Sequence, residues 1–175
     1  MKKSLLGVTG LLLILIVVAC NVTKSTSGEE ETQDIKKIVQ DYSGGNSEGV
    51  KASITSNDLI VTDSNNKETT YELPDDIFFV SIAPFVETTH PCTNHNLTGC
   101  QGELSETVFD VYIEDEDGNV LVDETMTSFK NGFIDFWLPS NKTYNVKIQY
   151  DGKLAESEIS TFEGENTCIT TMQLT

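Results

Sequence analysis

Tyr144-Asn145-Val146-Lys147-Ile148-Gln149-Tyr150 places an apolar side chain at every second position, and Asp151-Gly152 follows at once. Strict alternation sends the apolar set to one face, so the stretch predicts a half-buried β-strand closed by a tight turn. The same texture extends outward in both directions. Ile77 to Val86 (interrupted by Pro84), Val108 to Ile113, Val120 to Thr125, Gly132 to Leu138, Leu154 to Phe162 and Cys168 to Leu174 are short and β-rich. Asp117-Gly118-Asn119 and Pro139-Ser140-Asn141 supply further turns. Seven short strands at this spacing predict a mainly β chain with a β-sandwich domain over residues 76–175.

Upstream, Ile35, Ile38, Val39 and Tyr42 fall at i, i+3, i+4 and i+7, which predicts a short amphipathic helix ended by Ser43-Gly44-Gly45. Leu59-Ile60-Val61 and Thr69 to Leu73, separated by Asp63-Ser64-Asn65-Asn66, predict a small meander. Residues 34–75 thus form a small α+β region. It is too short for much independent stability and is expected to lean on the sandwich. The turn-and-strand series from Gly118 to Gly152 resembles the transthyretin-like or carboxypeptidase-regulatory sandwich, a likeness of architecture that carries no function.

The first residues have another purpose. Lys2 and Lys3 precede the apolar run Leu11 to Val18, which ends in Ala19-Cys20. That is a secretory signal over residues 1–19. Val17-Val18-Ala19-Cys20 resembles the lipobox of bacterial lipoproteins, in which the cysteine is lipidated. The alternative is an uncleaved anchor, for which the run is short. The protein is expected on the extracytoplasmic face of a cell membrane, held through lipid on Cys20. The polar residues 20–33 read as a tether.

Acids outnumber bases 28 to 11, for a net charge of −17, and every basic residue is Lys. Loss of Lys2 and Lys3 with the signal would take it to −19. That balance argues against nucleic acid as a partner and favours a cation. No Gly-x-Ser-x-Gly elbow or phosphate loop is present. Asp115-Glu116-Asp117-Gly118-Asn119 is acidic but lacks the length and terminal Glu of an EF-hand, so it reads as a hairpin turn with solvated charges.

Both histidines and all cysteines other than Cys20 occupy two places: the loop His90-Pro91-Cys92-Thr93-Asn94-His95-Asn96-Leu97-Thr98-Gly99-Cys100, and Cys168. Pro91 and Gly99 allow the loop to fold back and bring Cys92 near Cys100. Three cysteines are an odd number for a disulfide framework. Thiolates with imidazole suit Cu(I) or Zn(II), so Cys92, Cys100 and Cys168, with His95 or His90 near, are candidate metal ligands. The alternatives are a thiol-disulfide redox protein and an adhesion or interaction module stapled by a Cys92–Cys100 disulfide. In oxidised protein that short, turn-rich pairing is expected, leaving Cys168 free.

Val80-Ser81-Ile82-Ala83-Pro84-Phe85, the loop from His90 to Cys100 with Gln101-Gly102-Glu103-Leu104, Asn131-Gly132-Phe133 leading to Trp137-Leu138-Pro139, and Thr167-Cys168-Ile169-Thr170-Thr171-Met172-Gln173-Leu174 together resemble the CueP family. The resemblance implies an extracytoplasmic copper-binding protein in copper resistance or delivery, with copper on three cysteines that match Cys92, Cys100 and Cys168. It also implies a copper-accepting enzyme as partner, since family members have been linked to supplying an extracytoplasmic superoxide dismutase. A lipid anchor departs from a freely soluble periplasmic protein.

Overall fold

The computed structural model describes residues 26–175. The expected signal segment and lipidated Cys20 lie outside the described residues. Helix α1 spans Thr26–Ser43 and is followed by β1 Lys51–Ile54, β2 Asp58–Thr62, β3 Glu68–Glu72, β4 Ile77–Ile82, β5 His95–Asn96 and β6 Val108–Asp115. β7 Val120–Thr127, β8 Ile134–Pro139, β9 Thr143–Tyr150, β10 Lys153–Ser160 and β11 Cys168–Ile169 complete the chain. Among the described residues no helix is long and apolar enough to cross a membrane.

The strands form three sheets, ordered β10-β9-β6-β7, β11-β4-β8 and β3-β2-β1-β5. The first two sheets contain the seven expected strands and pack face to face as a sandwich. Phe78, Val80 and Ile82 of β4 and Ile134, Phe136 and Leu138 of β8 meet Phe109, Val111 and Ile113 of β6 and Tyr144, Val146 and Ile148 of β9 in one core. The alternation read in 144–150 holds: Tyr144, Val146 and Ile148 are buried while Asn145 and Gln149 are exposed. Asp151 and Gly152 both have positive φ, 49° and 74°, which is the turn that lets β9 return directly as β10.

The β11-β4-β8 sheet is buried on its other face too. Phe79, one residue out of phase with Phe78, enters a second core with Ile35, Val39, Ala52, Ile54, Leu59, Leu73 and Leu97. Its ring stands edge-on to Trp137 of β8, with centroids 5.1 Å apart. The helix and the β1–β3 meander therefore cover the outer face of the middle sheet and share a core with it.

Two boundaries and the state of one carboxylate differ from the sequence reading. The helix begins at Thr26, inside the stretch read as a tether. Residues 168–174 do not make one continuous strand: β11 stops at Ile169, and pairing resumes as a single bridge between Phe85 and Gln173. Thr170 leaves the ladder to donate its hydroxyl to His90 O at 2.7 Å. The Asp115 carboxylate is buried rather than solvated; it accepts from Asn119 N and Asp117 N across the hairpin turn and from Lys142 Nζ at 2.7 Å.

Phe79→Ala should reduce unfolding free energy by about 3–5 kcal/mol, because a fully buried aromatic leaves a cavity between two sheets. Urea titration checks this, and a loss below about 1 kcal/mol would show that Phe79 does not tie the front region to the sandwich.

Candidate metal centre

The loop that leaves β4 is pinned before it reaches Cys92. Glu103 accepts from the N–H groups of Val86, Glu87 and Thr88, at 2.7 to 3.3 Å. Desolvation alone would raise the Glu103 pKa, but these three donors outweigh it and hold the carboxyl below its ordinary value. Thr89 Oγ1 donates to Thr170 O while Thr170 Oγ1 donates to His90 O, a reciprocal stitch to the chain's last segment.

Beyond Cys92 the chain joins the front sheet. β5 pairs antiparallel with β1, His95 opposite Ile54 and Asn96 opposite Ser53. Asn96 O then accepts from Gly99 N and Cys100 N, and this turn carries Cys100 back to Cys92, whose sulfur lies 3.6 Å away. Gly102 and Gly132 cross immediately afterwards. A Cβ on Gly102 would stand 2.8 Å from Gly132 O, and one on Gly132, at φ 80°, would stand 2.7 Å from Gly102 O. Only two glycines allow this approach. It sets Phe133, fully buried, beneath both histidine rings: 4.4 Å between centroids for His95, and 6.4 Å edge-on for His90.

Cys168 arrives from the far end of the chain as the first residue of β11, paired in parallel with Ser81. Its N–H donates to Thr93 O at 3.1 Å, which places it beside Cys92. One donor atom from each of Cys92, His95, Cys100 and Cys168 then lies within 4.8 Å of the others. The three cysteines and His95 singled out in the sequence are thus brought to one point. His90 is not part of that group; its Nε2 is buried without a partner at the rim of Phe133.

The disulfide is Cys92–Cys168, Cα atoms 5.5 Å apart, and Cys100 is free. This corrects the expected Cys92–Cys100 pairing. The expectation weighed only the cost of closing a loop between near neighbours in sequence. The β11–β4 ladder and the Cys168–Thr93 hydrogen bond already bring residues 76 apart together, so their closure costs the folded chain nothing further.

His95 is fully buried, with Nδ1 3.4 Å from Cys168 Sγ and Nε2 unpartnered. Desolvation, with a smaller contribution from nearby His90, lowers its pKa to about 4, so the imidazole is neutral at physiological pH and keeps a lone pair for a metal. The sequence reading missed the supports of this site: Thr93, Thr167 and the Asn131-Gly132-Phe133 turn. Thr167 and Gly132-Phe133 stood in the stretches that carry the family resemblance, but nothing in their residue types announces a role.

Fold and site together define a small β protein with a cysteine–histidine cluster of metal-holding dimensions. The sequence matches the family model of the periplasmic copper-binding protein CueP over residues 34–173. It is 34% identical to the crystal structure of S.CueP, with a TM-score of 0.76 over 87% of this chain and 99% of that one. No curated protein matches it. The chain belongs to the CueP family of periplasmic copper-binding proteins.

Because the fold holds His95 neutral, its contribution to stability is complete above about pH 6.5, the ordinary histidine value. It is lost as the pH falls towards about 4. Urea midpoints at pH 7 and pH 4.5 should therefore fall further for metal-free wild type than for His95→Gln; equal falls would place the imidazole in contact with water.

Proposed function

We propose that the protein holds Cu(I) on the thiolates of Cys92, Cys100 and Cys168 with His95 as a fourth donor, and that it does so at the extracytoplasmic face of the membrane. The carrying observation is the confinement of these four donor atoms within 4.8 Å of one another. A metal bonded to sulfur at about 2.3 Å separates its donors by roughly 3.7–4.0 Å, and the Cys92–Cys100 contact of 3.6 Å is close to that. Soft thiolates favour Cu(I). The same set fits tetrahedral Zn(II), which is the competing cargo; the copper-binding character of the family supports the preference for copper.

With Cys92 and Cys168 oxidised, two of the three sulfurs are not available as thiolates, so loading requires the reduced protein. The same pair can supply electrons. Two Cu(II) ions take one electron each from the Cys92–Cys168 dithiol, the disulfide forms and two protons leave, producing Cu(I). Delivery would then be to a copper-requiring extracytoplasmic enzyme. A pure thiol–disulfide exchange role fits less well. Attack in line on the disulfide would separate the outer sulfurs by the 3.6 Å contact plus a bond of about 2.05 Å, and the sulfurs are gathered more closely than that.

Anaerobic titration of reduced protein with Cu(I) against a competing chelator tests the reading. Each of Cys92→Ser, Cys100→Ser and Cys168→Ser should weaken binding more than His95→Ala. His90→Ala should cost less again than His95→Ala. Oxidised protein should not load. Binding unchanged by the cysteine substitutions, or a stronger preference for Zn(II), would overturn the assignment.

Lipid anchoring on Cys20 rests on Val17-Val18-Ala19-Cys20 following an apolar run. Stable attachment needs more than one acyl chain. Mass spectrometry of the amino-terminal peptide from membrane-fractionated protein should show a diacylated cysteine; a cleaved, unmodified terminus would refute it.

A further inference from the structure

Thr167 is a threonine with no exposed surface, placed immediately before Cys168, and its hydroxyl is used twice. The oxygen accepts from the backbone N–H of His95 at 2.9 Å, and its proton goes to Ile54 O at 2.7 Å. Its own carbonyl accepts from Ser81 N at 2.9 Å. One residue therefore joins three strands. β1 belongs to the front region, β5 carries His95, and β4 is the strand against which Cys168 is registered.

The consequence concerns the metal donors. His95 sits on a strand of two residues, too short to fix a ring by itself. The β1 pairing sets its height, and Ala52 N donating to Thr98 Oγ1 at 3.2 Å holds the chain just beyond it. Neither contact refers His95 to the cysteine cluster. The Thr167 hydroxyl does, because it binds the backbone of one donor residue from the position next to another.

We infer that Thr167 is a positioning residue for the metal centre, fixing His95 against Cys168 and making the front region part of the binding site. This role rests on the copper reading above. A hydroxyl that orients a donor without touching the metal typically contributes about 10–100-fold in affinity. Valine has nearly the shape of threonine but neither accepts nor donates, whereas serine keeps both functions.

The test is anaerobic Cu(I) titration against a chelator on reduced full-length protein, for wild type, Thr167→Val, Thr167→Ser, His95→Ala and the His95→Ala/Thr167→Val double variant. Circular dichroism and thermal unfolding are recorded for each. Thr167→Val should bind about 10–100-fold more weakly, and Thr167→Ser should restore binding. The double variant should lose no more than His95→Ala alone, since two changes acting through one donor are not additive. A residue that merely filled space would show neither the serine rescue nor the coupling. Should Thr167→Val not fold, Thr167→Ala, which leaves room for a water at the same two groups, replaces it. If both unfold, Thr167 supports the fold and not the site, and the inference falls. Wild-type binding with an unaffected Thr167→Val overturns this role alone. Wild type that takes no Cu(I) overturns the copper reading itself.

Discussion

Strand β4 is buried on both faces, and the molecule is organised by that constraint. Phe78, Val80 and Ile82 face the sandwich, while Phe79 faces the helix and meander. A strand in this position cannot shift register by one residue without moving one core's side chains into the other. Its partners inherit the restriction: β8 runs antiparallel along its length, and β11 joins in parallel opposite Ser81 and Ile82. The position of Cys168 follows from that register.

The same sheet separates greasy packing from polar chemistry along its outer face. Phe79 and Trp137 lie at one end, and Ala83, Phe133 and Cys168 cluster at the other. Between them Ser81 donates to Asp135 on the neighbouring strand, and Ser43 at the end of the helix donates to the same carboxylate. Burial pushes the Asp135 pKa up despite these two donors. A half-buried polar group of this kind is tolerated because its hydrogen bonds are made, and it ties the helix end to the sheet.

Charge is arranged around the cluster as well as against it. The protein carries a net −17, yet residues 88–102 contain no Lys, Asp or Glu. The acidic surface draws cations in general, whereas the loop around the sulfurs offers no carboxylate to a hard ion. What the loop offers instead is sulfur and the neutral imidazole of His95, buried against Phe133.

The strands of the sandwich were legible because alternation is a local property: residues i and i+2 share a face whatever the rest of the chain does, as Tyr144, Val146 and Ile148 show. The clustering of Cys92, Cys100 and Cys168 with a histidine was legible from residue type, since both histidines and every cysteine other than Cys20 fall in one loop and one strand start. Tertiary structure alone decided the disulfide, the exclusion of His90 from the cluster and the part played by Thr167. Each depends on which strands lie side by side. Cys168 reaches Cys92 through a parallel pairing across 76 residues, and Thr167 reaches Ile54 across 113. Loop-closure arithmetic along the chain favours near neighbours, but once the sheets have formed, distance in sequence no longer measures distance in space.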